Sequence, residues 1–327
     1  MKLTKTRLAW MGSVAMITAG AVMAAAAPPA EIVIPGERLI TESLTSSADG
    51  TVFVGSIQGR TIFRAKPGSA TAEPWIQPGT DEMGSVFGVL ADDKANTLWA
   101  CSGSIGPPPA GAAPTPSRLH AFDLKSGKPK GKWAVPTAGG FCNDIAVGKD
   151  GAAYITDTNN MEVAVLKPGA PQLEMWAGNG AFGPKGGILD GIAVLGDKVL
   201  VNALATGKLF VAAIGADGKA GAVSEVKLDR PIERPDGQRS FGKASLLVVE
   251  GGGAGRLSRV DLSGPGLDSG KVTTLKEGYP DGPVAVTVVG ETAYVLEGQL
   301  ASMRAAPGAA PVPAKPFKAT AVKVGKP

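Results

Sequence analysis

The chain has one histidine and two cysteines among its 327 residues, and only 5% of its residues are aromatic. Two cysteines alone are too few for a thiolate metal site, which needs more than two ligands. No run of lysine and arginine is interleaved with aromatic residues, so a nucleic-acid surface is not expected. No G-x-S-x-G sequence is present, which removes one common signature of a serine hydrolase. The 19% of charged residues beside 44% of hydrophobic ones is typical of a folded globular protein.

The longest uncharged apolar run lies at the start of the chain. Residues 1–7 carry three positive charges, residues 8–23 carry none, and residues 24–27 are all alanine. This order predicts a secretory signal peptide, residues 1–26, whose cleavage leaves residues 27–327 in the periplasm or outside the cell. An uncleaved membrane anchor is the alternative, but the run is short for a membrane span. No later segment predicts a transmembrane helix, so no membrane partner is expected after cleavage.

One pattern recurs about every 46 residues: a small or acidic residue, an apolar strand, a Gly/Asp turn and a second apolar strand. Its first positions are Glu42, Phe87, Asn143, Asp190, Asp236 and Asp281. The successive gaps are 45, 56, 47, 46 and 45 residues, and the long gap contains an eleven-residue Pro-rich insert at 106–116. Six repeats of this length, each with several short strands, predict an all-β fold. We expect a single domain, a six-bladed β-propeller with four-stranded blades.

Each repeat continues with a third and a fourth strand. In blade four the fourth strand is predicted at 223–229, and in blade six the third strand is predicted at 298–305. The sixth blade then takes its fourth strand from 317–324 or from 31–34, and either choice closes the circle of blades. Residues 305–316 form a Pro/Ala linker. Trp75, Trp133 and Trp176 fall in fourth strands, where we expect them to pack between blades.

The residue that opens each innermost strand of a propeller faces the mouth of the central channel. Antiparallel pairing returns the end of the second strand to the same side. That second set is predicted to be Ser56, Ser102, Asp157, Asn202, Glu250 and Glu297. So many carboxylates would repel one another unless a positive charge lies among them.

Two sources of that positive charge are open. Carboxylate and amide oxygens are ligands of Ca²⁺ or another hard divalent ion. Alternatively, Arg239 neutralises the carboxylates of blade five in place of a metal. For Asp236 and Asp281 the structural alternative is that they only cap local turns, as aspartates before glycine often do.

Three short segments carry a resemblance to a known family. Glu42 opens blade one, Phe141, Cys142, Asn143 and Asp144 open blade three, and Leu189, Asp190 and Gly191 open blade four. The chain resembles the senescence-marker-protein/gluconolactonase (regucalcin-like) family of six-bladed propellers over essentially its whole mature length. The resemblance implies that Glu42, Asn143 and Asp190 hold one divalent metal ion, Ca²⁺ first and Zn²⁺, Mg²⁺ or Mn²⁺ as alternatives.

The same resemblance implies a reaction. A bound metal polarises a lactone carbonyl and lowers the pKa of water, and a nearby carboxylate handles the proton. Asp190, or water held by the metal, would then drive ring opening of a small-molecule lactone or related ester. His120 is predicted in the third strand of blade two, away from the channel mouth, which argues against paraoxonase-like propellers that rely on histidines. The alternative is a non-catalytic propeller that binds a small molecule or a protein partner.

The remaining candidate residues are expected to contact the substrate or to support the metal ligands. They are Phe87, Asp144, Asp157, Asn202, Asp236, Arg239 and Asp281. Cys101 and Cys142 fall on the same side of neighbouring blades, where an exported protein can form a disulfide. The alternative is that the two cysteines stay unpaired, because the Cα separation of a disulfide must fall within a narrow range.

Overall fold

The computed structural model describes residues 28–105, 116–304 and 315–327. The predicted signal peptide, nearly all of the insert at 106–116 and most of the linker at 305–316 lie outside the described residues. Regular structure in the described ranges consists of 25 strands and two short 3₁₀ helices, Thr80–Glu82 and Leu300–Arg304. Within the same ranges, no helix is both long enough and apolar enough to cross a membrane.

The first three blades are four-stranded antiparallel sheets, each formed by consecutive strands. Blade one contains β2 (Thr41–Ser46), β3 (Val52–Ser56), β4 (Ile62–Ala65) and β5 (Glu73–Ile76). Blade two contains β6 (Ser85–Asp92), β7 (Thr97–Gly103), β8 (Arg118–Asp123) and β9 (Pro129–Ala134). Blade three contains β10 (Cys142–Val147), β11 (Ala153–Asp157), β12 (Glu162–Leu166) and β13 (Glu174–Ala177). The first three blades therefore agree with the predicted all-β fold of four-stranded blades.

The last three blades complete the circle. Blade four contains β14 (Leu189–Leu195), β15 (Lys198–Ala203), β16 (Lys208–Ala213) and β17 (Ser224–Glu225). Blade five contains β19 (Pro235–Phe241), β20 (Ser245–Glu250), β21 (Arg256–Ser263) and β22 (Ser269–Glu277), with β18 (Lys227–Leu228) added beside β22 in parallel. Blade six contains β23 (Pro283–Val289), β24 (Thr292–Glu297), β25 (Phe317–Lys323) and β1 (Glu31–Ile34). The predicted six-bladed β-propeller is confirmed.

Two strand predictions were wrong. The segment 223–229 does not end blade four as one strand, because its second half crosses to the edge of blade five as β18. The segment 298–305 is not a strand, since Leu300–Arg304 forms a 3₁₀ helix. Its place as third strand of blade six is taken by β25, and β1 is the fourth. Both proposed closing segments are therefore used, and β1 beside β25 joins the two ends of the chain.

The innermost strands β2, β6, β10, β14, β19 and β23 contact one another in a closed circle around the channel. Farther out, each of the three tryptophans contacts an aromatic ring of its own blade. The predicted packing between blades is seen for Trp176, whose Nε1 donates to the carbonyl oxygen of Gly218 in blade four at 3.0 Å, and for Trp75, which lies against Gly127 of blade two. Trp75 lies 5.1 Å from Phe53, and Trp176 lies 5.0 Å from Tyr154, measured between ring centroids. Trp133 is 6.0 Å from Trp99. His120 is buried on β8 and stacks on Phe122, away from the channel mouth.

Candidate functional site

Every innermost strand has a β-bulge near its first residue. The pairing of β10 with β11, for example, shifts between Cys142 and Ile145, so Asn143 and Asp144 together oppose Thr156. A bulge inserts an extra residue and turns side chains out of the regular alternation. The first bulge residues of the six blades are Glu42, Phe87, Asn143, Asp190, Asp236 and Val284. The bulges thus explain why polar residues open strands that are otherwise apolar.

Two positions predicted from the repeat were wrong. Asp281 does not occupy the bulge of blade six, because that place belongs to Val284, three residues later. Asp281 lies on the rim, where Lys315 forms a 2.6 Å ion pair with it. Asn202 does not end the second strand of blade four opposite Leu189; Ala203 does. Asn202 instead opposes the bulge, and its amide is fully buried.

The second bulge residue is glycine in blades two, four and five, and the reason is close approach to the next blade. A Cβ on Gly191 would lie 2.6 Å from the carbonyl oxygen of Asp236, and one on Gly237 would lie 2.7 Å from that of Val284. Blade three has Asp144 at this position. Its Oδ2 accepts a hydrogen bond from the N–H of Ile192 in blade four. The bulges are therefore packed directly against one another around the channel.

Four carboxylates gather where these bulges meet: Glu42, Asp144, Asp190 and Asp236. The three aspartates are at most 7% exposed. Burial raises the pKa of Glu42 well above its ordinary value, and the charges of Asp190 and Asp144 raise it further. Burial likewise raises the pKa of Asp190, with Asp236 and Asp144 adding to it and Asn143 opposing it by a hydrogen bond. The pKa of Asp236 is raised by burial and then by Glu42.

One positive charge enters this group from blade five. Arg239 Nη1 donates to Asp144 Oδ2 at 2.8 Å, and Arg239 Nη2 donates to the carbonyl oxygen of Val89 at 3.1 Å and to that of Leu44 at 3.4 Å. The side chain therefore spans the channel and bonds to blades one, two and three. The alternative in which Arg239 neutralises the carboxylates of blade five does not hold, because its ion pair is with Asp144 of blade three. Glu42, Asp190 and Asp236 form no ion pair with any basic side chain that the structure describes.

The other acidic residues of the predicted second set have structural partners. Asp157 Oδ1 accepts the N–H of Phe141, and Glu297 Oε2 accepts the N–H of Asp281, both at 2.9 Å. Glu250 forms ion pairs with Arg230 and Arg256, and these hydrogen bonds lower its pKa to about 2 despite burial. These side chains hold the loop that leads into each innermost strand. They leave Glu42, Asp190 and Asp236 as the carboxylates without a basic partner among the described residues.

In blades three and four, a side chain on the second strand forms hydrogen bonds with the bulge of its own blade and with the bulge of the next blade. The Thr156 hydroxyl accepts the N–H of Asp144 and donates to the carbonyl oxygen of Asp190. Asn202 repeats the arrangement one blade later, because it accepts the N–H of Gly191 and donates to the carbonyl oxygen of Asp236 at 2.7 Å. Thr156 was not a sequence candidate. Its position opposite the bulge is the signal that would have found it.

In blade two the same position is Cys101, which forms a disulfide with Cys142 of blade three. The two Cα atoms are 5.2 Å apart, and both cysteines are fully buried. Cys142 immediately precedes Asn143. The disulfide therefore anchors the start of the bulge that presents Asn143 and Asp144.

A cavity of 530 Å³ opens over the carboxylates. Its floor includes Glu42, Asp190 and Asp236, and its sides are mixed apolar and polar. The other lining residues named in the text are Ile188, Leu204, Arg234, Asp281, Val284, Leu300 and Lys315. Phe87 is not among the residues that line the cavity. It is 4% exposed and packs edge-on against Phe141 at a centroid distance of 4.5 Å. Arg234 was not predicted from the sequence, since it precedes the repeat motif instead of belonging to it.

A second cavity, of 700 Å³, lies at the other end of the channel, where the innermost strands finish. Its walls include Leu90, Ile145 and Ile192, and Arg239 closes its inner end. The acidic residues on its rim are tied into turns; Asp93, for example, accepts the N–H of Ala48. We therefore take the smaller cavity, which contains the uncompensated carboxylates, as the candidate functional site.

The carboxylate group fits a hard cation by the chemistry of its donors. Glu42 Oε2 and Asp144 Oδ1 are shielded from solvent and have no hydrogen-bond partner among the described residues. Unpaired buried oxygens of this kind match the ligand preference of Ca²⁺. These side chains surround the mouth of the channel. Within the described ranges, no three acidic, histidine or cysteine side chains come close enough together to form a metal-ligand group.

Fold and site together define a six-bladed β-propeller with buried, uncompensated carboxylates at one mouth of its channel. No protein-family model and no curated protein matches the sequence. Solved structures share the fold. The allergen Mala s 1 of Malassezia sympodialis has a TM-score of 0.69 at 15% identity, with 90% of this chain and 96% of that chain covered.

Two further solved structures connect the fold to the family resemblance. A gluconolactonase from Xanthomonas campestris has a TM-score of 0.59 at 15% identity and covers 88% of this chain and 82% of its own. A calcium-binding regucalcin from Agrobacterium tumefaciens has a TM-score of 0.60 at 14% identity, with coverages of 93% and 98%. At these identities the likeness concerns the fold, which is the level at which the resemblance is confirmed.

Proposed function

We propose that this protein is an exported, metal-dependent hydrolase of lactones or related carboxylic esters. The observation that carries the proposal is the set of Glu42, Asp190 and Asp236, three buried carboxylates without a basic partner in the described structure. Several uncompensated negative charges at one place are costly unless a cation joins them. The solved gluconolactonase and regucalcin propellers are named for lactone hydrolysis and calcium binding, and both names support this reading.

In the proposal, Glu42, Asn143 and Asp190 hold one divalent ion, with Ca²⁺ preferred because all three supply oxygen. When bound, such an ion polarises an ester carbonyl and makes water a stronger acid. Asp190 would orient the attacking water and accept its proton. Asp236 and Asp144 lie close enough to Asp190 to act on its charge, so they would support it. The cavity above these residues would take the substrate, and its walls would exclude water from the rest of the molecule.

Lactone hydrolysis before and after removal of metal tests the proposal. We expect turnover of at least one member of a panel of γ- and δ-lactones, loss of turnover with EDTA, and recovery on addition of Ca²⁺. Asp190→Asn would remove turnover, while Asp197→Asn, in the exposed turn between β14 and β15 and outside the cavity, would retain it. A preparation that takes up no divalent ion and opens no lactone would overturn the proposal.

One observation favours a second function, a propeller that binds its ligand without reacting. The acidic side chains surround the mouth without converging as a metal-ligand group in the described residues. A binding protein of this type would gain thermal stability from its ligand and would show no turnover. Asp190→Ala would then have little effect on binding, whereas it would abolish the reaction of a hydrolase.

A further inference from the structure

Arg234 occupies a special backbone position at the edge of the cavity. It immediately precedes β19 and has a φ of 45°. The residues at the same place in blades one and four, Ile40 and Ile188, also have left-handed backbone, with φ of 47° and 59°. Such conformations are uncommon for residues other than glycine. The turn therefore recurs in several blades, and blade five differs in placing a cation there.

The guanidinium of Arg234 has no hydrogen-bond or ion-pair partner within the described ranges, although it lies beside acidic residues. Three other basic side chains on this face are paired: Lys315 with Asp281, and both Arg230 and Arg256 with Glu250. Arg234 is close enough to Asp236 for its charge to lower the pKa of that carboxyl, against the larger effect of burial. Gly252 packs on the Arg234 stem, since a Cβ on Gly252 would lie 2.6 Å from Arg234 Cδ. The aliphatic stem of Arg234 is therefore packed against Gly252, while its guanidinium has no partner in the described structure.

The cavity that Arg234 lines has chemically distinct sides. Glu42, Asp190 and Asp236 form the acidic floor, and Leu204 and Leu300 contribute apolar wall. A guanidinium presents paired N–H donors that match the two oxygens of a carboxylate. A small molecule could therefore place an ester carbonyl on the floor, an apolar body against the wall and a carboxylate on Arg234.

We infer that Arg234 recognises a carboxylate on the substrate, so that the site takes lactones or esters with an anionic carboxylate apart from the bond that is cleaved. The inference rests on the proposed function for the reaction, and on Arg234 alone for the choice of substrate. Because Arg234 does not lie on the floor, it acts as a specificity residue and not as a metal ligand.

A matched pair of substrates tests this: a γ-butyrolactone with a free carboxylate and the same lactone with that group as a primary amide. We expect the wild-type protein to have a lower KM for the acid than for the amide. Arg234→Met is expected to raise KM for the acid by about 10-fold or more, the scale of a charge-assisted hydrogen bond, and to leave KM for the amide within about twofold. Equal effects of Arg234→Met on both lactones would overturn the inference.

Arg60→Met is the matched control. Arg60 is also exposed, also has left-handed backbone, with φ of 50°, and is not among the residues that line the cavity. We expect this variant to keep the wild-type preference for the acid. A loss of preference in Arg60→Met equal to that in Arg234→Met would contradict a specific role for Arg234.

Calorimetric titration with succinamate, which has one carboxylate, and with the neutral diamide succinamide separates the inference from the proposed function. If succinamate binds wild-type protein more tightly than succinamide and Arg234→Met removes the difference, carboxylate recognition stands even if no lactone is hydrolysed. If lactones are hydrolysed but Arg234→Met binds succinamate like the wild type, the hydrolase stands and the inference fails.

Discussion

The Thr156 hydroxyl donates a hydrogen bond of 2.8 Å to the carbonyl oxygen of Asp190 in the neighbouring blade. The same hydroxyl accepts the N–H of Asp144 at 3.0 Å, so one side chain fixes the two bulges that present Asp144 and Asp190. Thr156 is fully buried, and water cannot replace these bonds without an opening between blades three and four. The placement of the proposed catalytic carboxyl is therefore set from a strand that contributes no residue to the cavity.

Thr156→Val should show the effect of that hydroxyl. The change keeps the shape of the side chain and leaves the Asp144 N–H and the Asp190 carbonyl oxygen without a partner. We expect the free energy of unfolding to fall by about 1–3 kcal/mol, the cost of unsatisfied buried polar groups. Thr156→Ser, which keeps the hydroxyl, should lose much less. Urea unfolding followed by circular dichroism measures both, and equal losses in the two variants would contradict the role of the hydroxyl.

Removing a charge from the carboxylate group should stabilise the protein when no metal is present. Glu42 Oε2 is shielded from solvent and unpartnered, so a neutral Glu42→Gln relieves repulsion within the group. In EDTA we expect Glu42→Gln to gain about 1–3 kcal/mol of unfolding free energy relative to the wild type. With Ca²⁺ added, the order should reverse, because only the wild type gains from the ion. Thermal unfolding in the two buffers checks this, and a destabilised variant in EDTA would argue against uncompensated charge.

The pH dependence of stability follows from the raised pKa values of the carboxylates at the channel mouth. Glu42, Asp190 and Asp236 have pKa values raised above their ordinary values of 4.5, 3.8 and 3.8, so the folded state binds their protons more tightly than the unfolded state. Their protonation therefore adds stability as pH falls through the raised pKa values, and the gain is complete below the ordinary ones. Metal-free protein should become more stable from neutral pH down towards pH 5.

The pKa of Glu250 is shifted in the opposite direction, which limits the gain in stability at lower pH. Its pKa is lowered to about 2 by Arg230, Arg256 and Ser258, so its stabilisation is present above its ordinary value of 4.5 and is lost as pH falls towards 2. A maximum of stability on the acidic side of neutrality is therefore expected in EDTA. Melting temperatures measured from pH 3 to 8 test this, and a steady decline in stability from pH 7 to 5 would contradict it.

Arg239 and Asp144 should behave as a coupled pair. Their ion pair is 2.8 Å long, and the exposed fractions of the two side chains are 12% and 6%. Arg239→Met leaves Asp144 buried without its counter-charge, which costs about 3–5 kcal/mol by the usual scale for a broken buried pair. Adding Asp144→Asn should restore most of the loss, and the double-mutant cycle gives the coupling energy. Additive losses in the double variant would show that the two side chains do not depend on each other.

The repeat made the architecture accessible from sequence, because each blade needs the same two apolar strands and the same turn. Blade six departed from that pattern for a local reason. Its bulge residue is Val284, and the aspartate-glycine pair at 281–282 imitates the motif of blade five three residues too early. A turn dipeptide can therefore be mistaken for a site residue when the strand pairing is unknown.

Side-chain contacts between different blades were the part of the structure that could be predicted least from the sequence. Arg239 was a candidate, but its partner Asp144 is 95 residues away and two blades distant, and only the closed circle brings them together. The same holds for Thr156 with Asp190. Arg234 was missed because it precedes the motif, and its free guanidinium is visible only when the pairs around it are known. Sequence periodicity places residues along a strand, whereas these contacts depend on how the strands meet at the channel.

The decisive measurement for the proposed metal site is calcium titration of EDTA-treated protein by calorimetry, with Glu42→Gln, Asp190→Asn and the surface-turn control Asp197→Asn in parallel. We expect one Ca²⁺ per wild-type molecule, the same binding in Asp197→Asn, and loss of binding in Glu42→Gln and Asp190→Asn. Binding that is unchanged in those two variants, or a wild-type protein that binds none of Ca²⁺, Zn²⁺, Mg²⁺ and Mn²⁺, would contradict the proposed metal site.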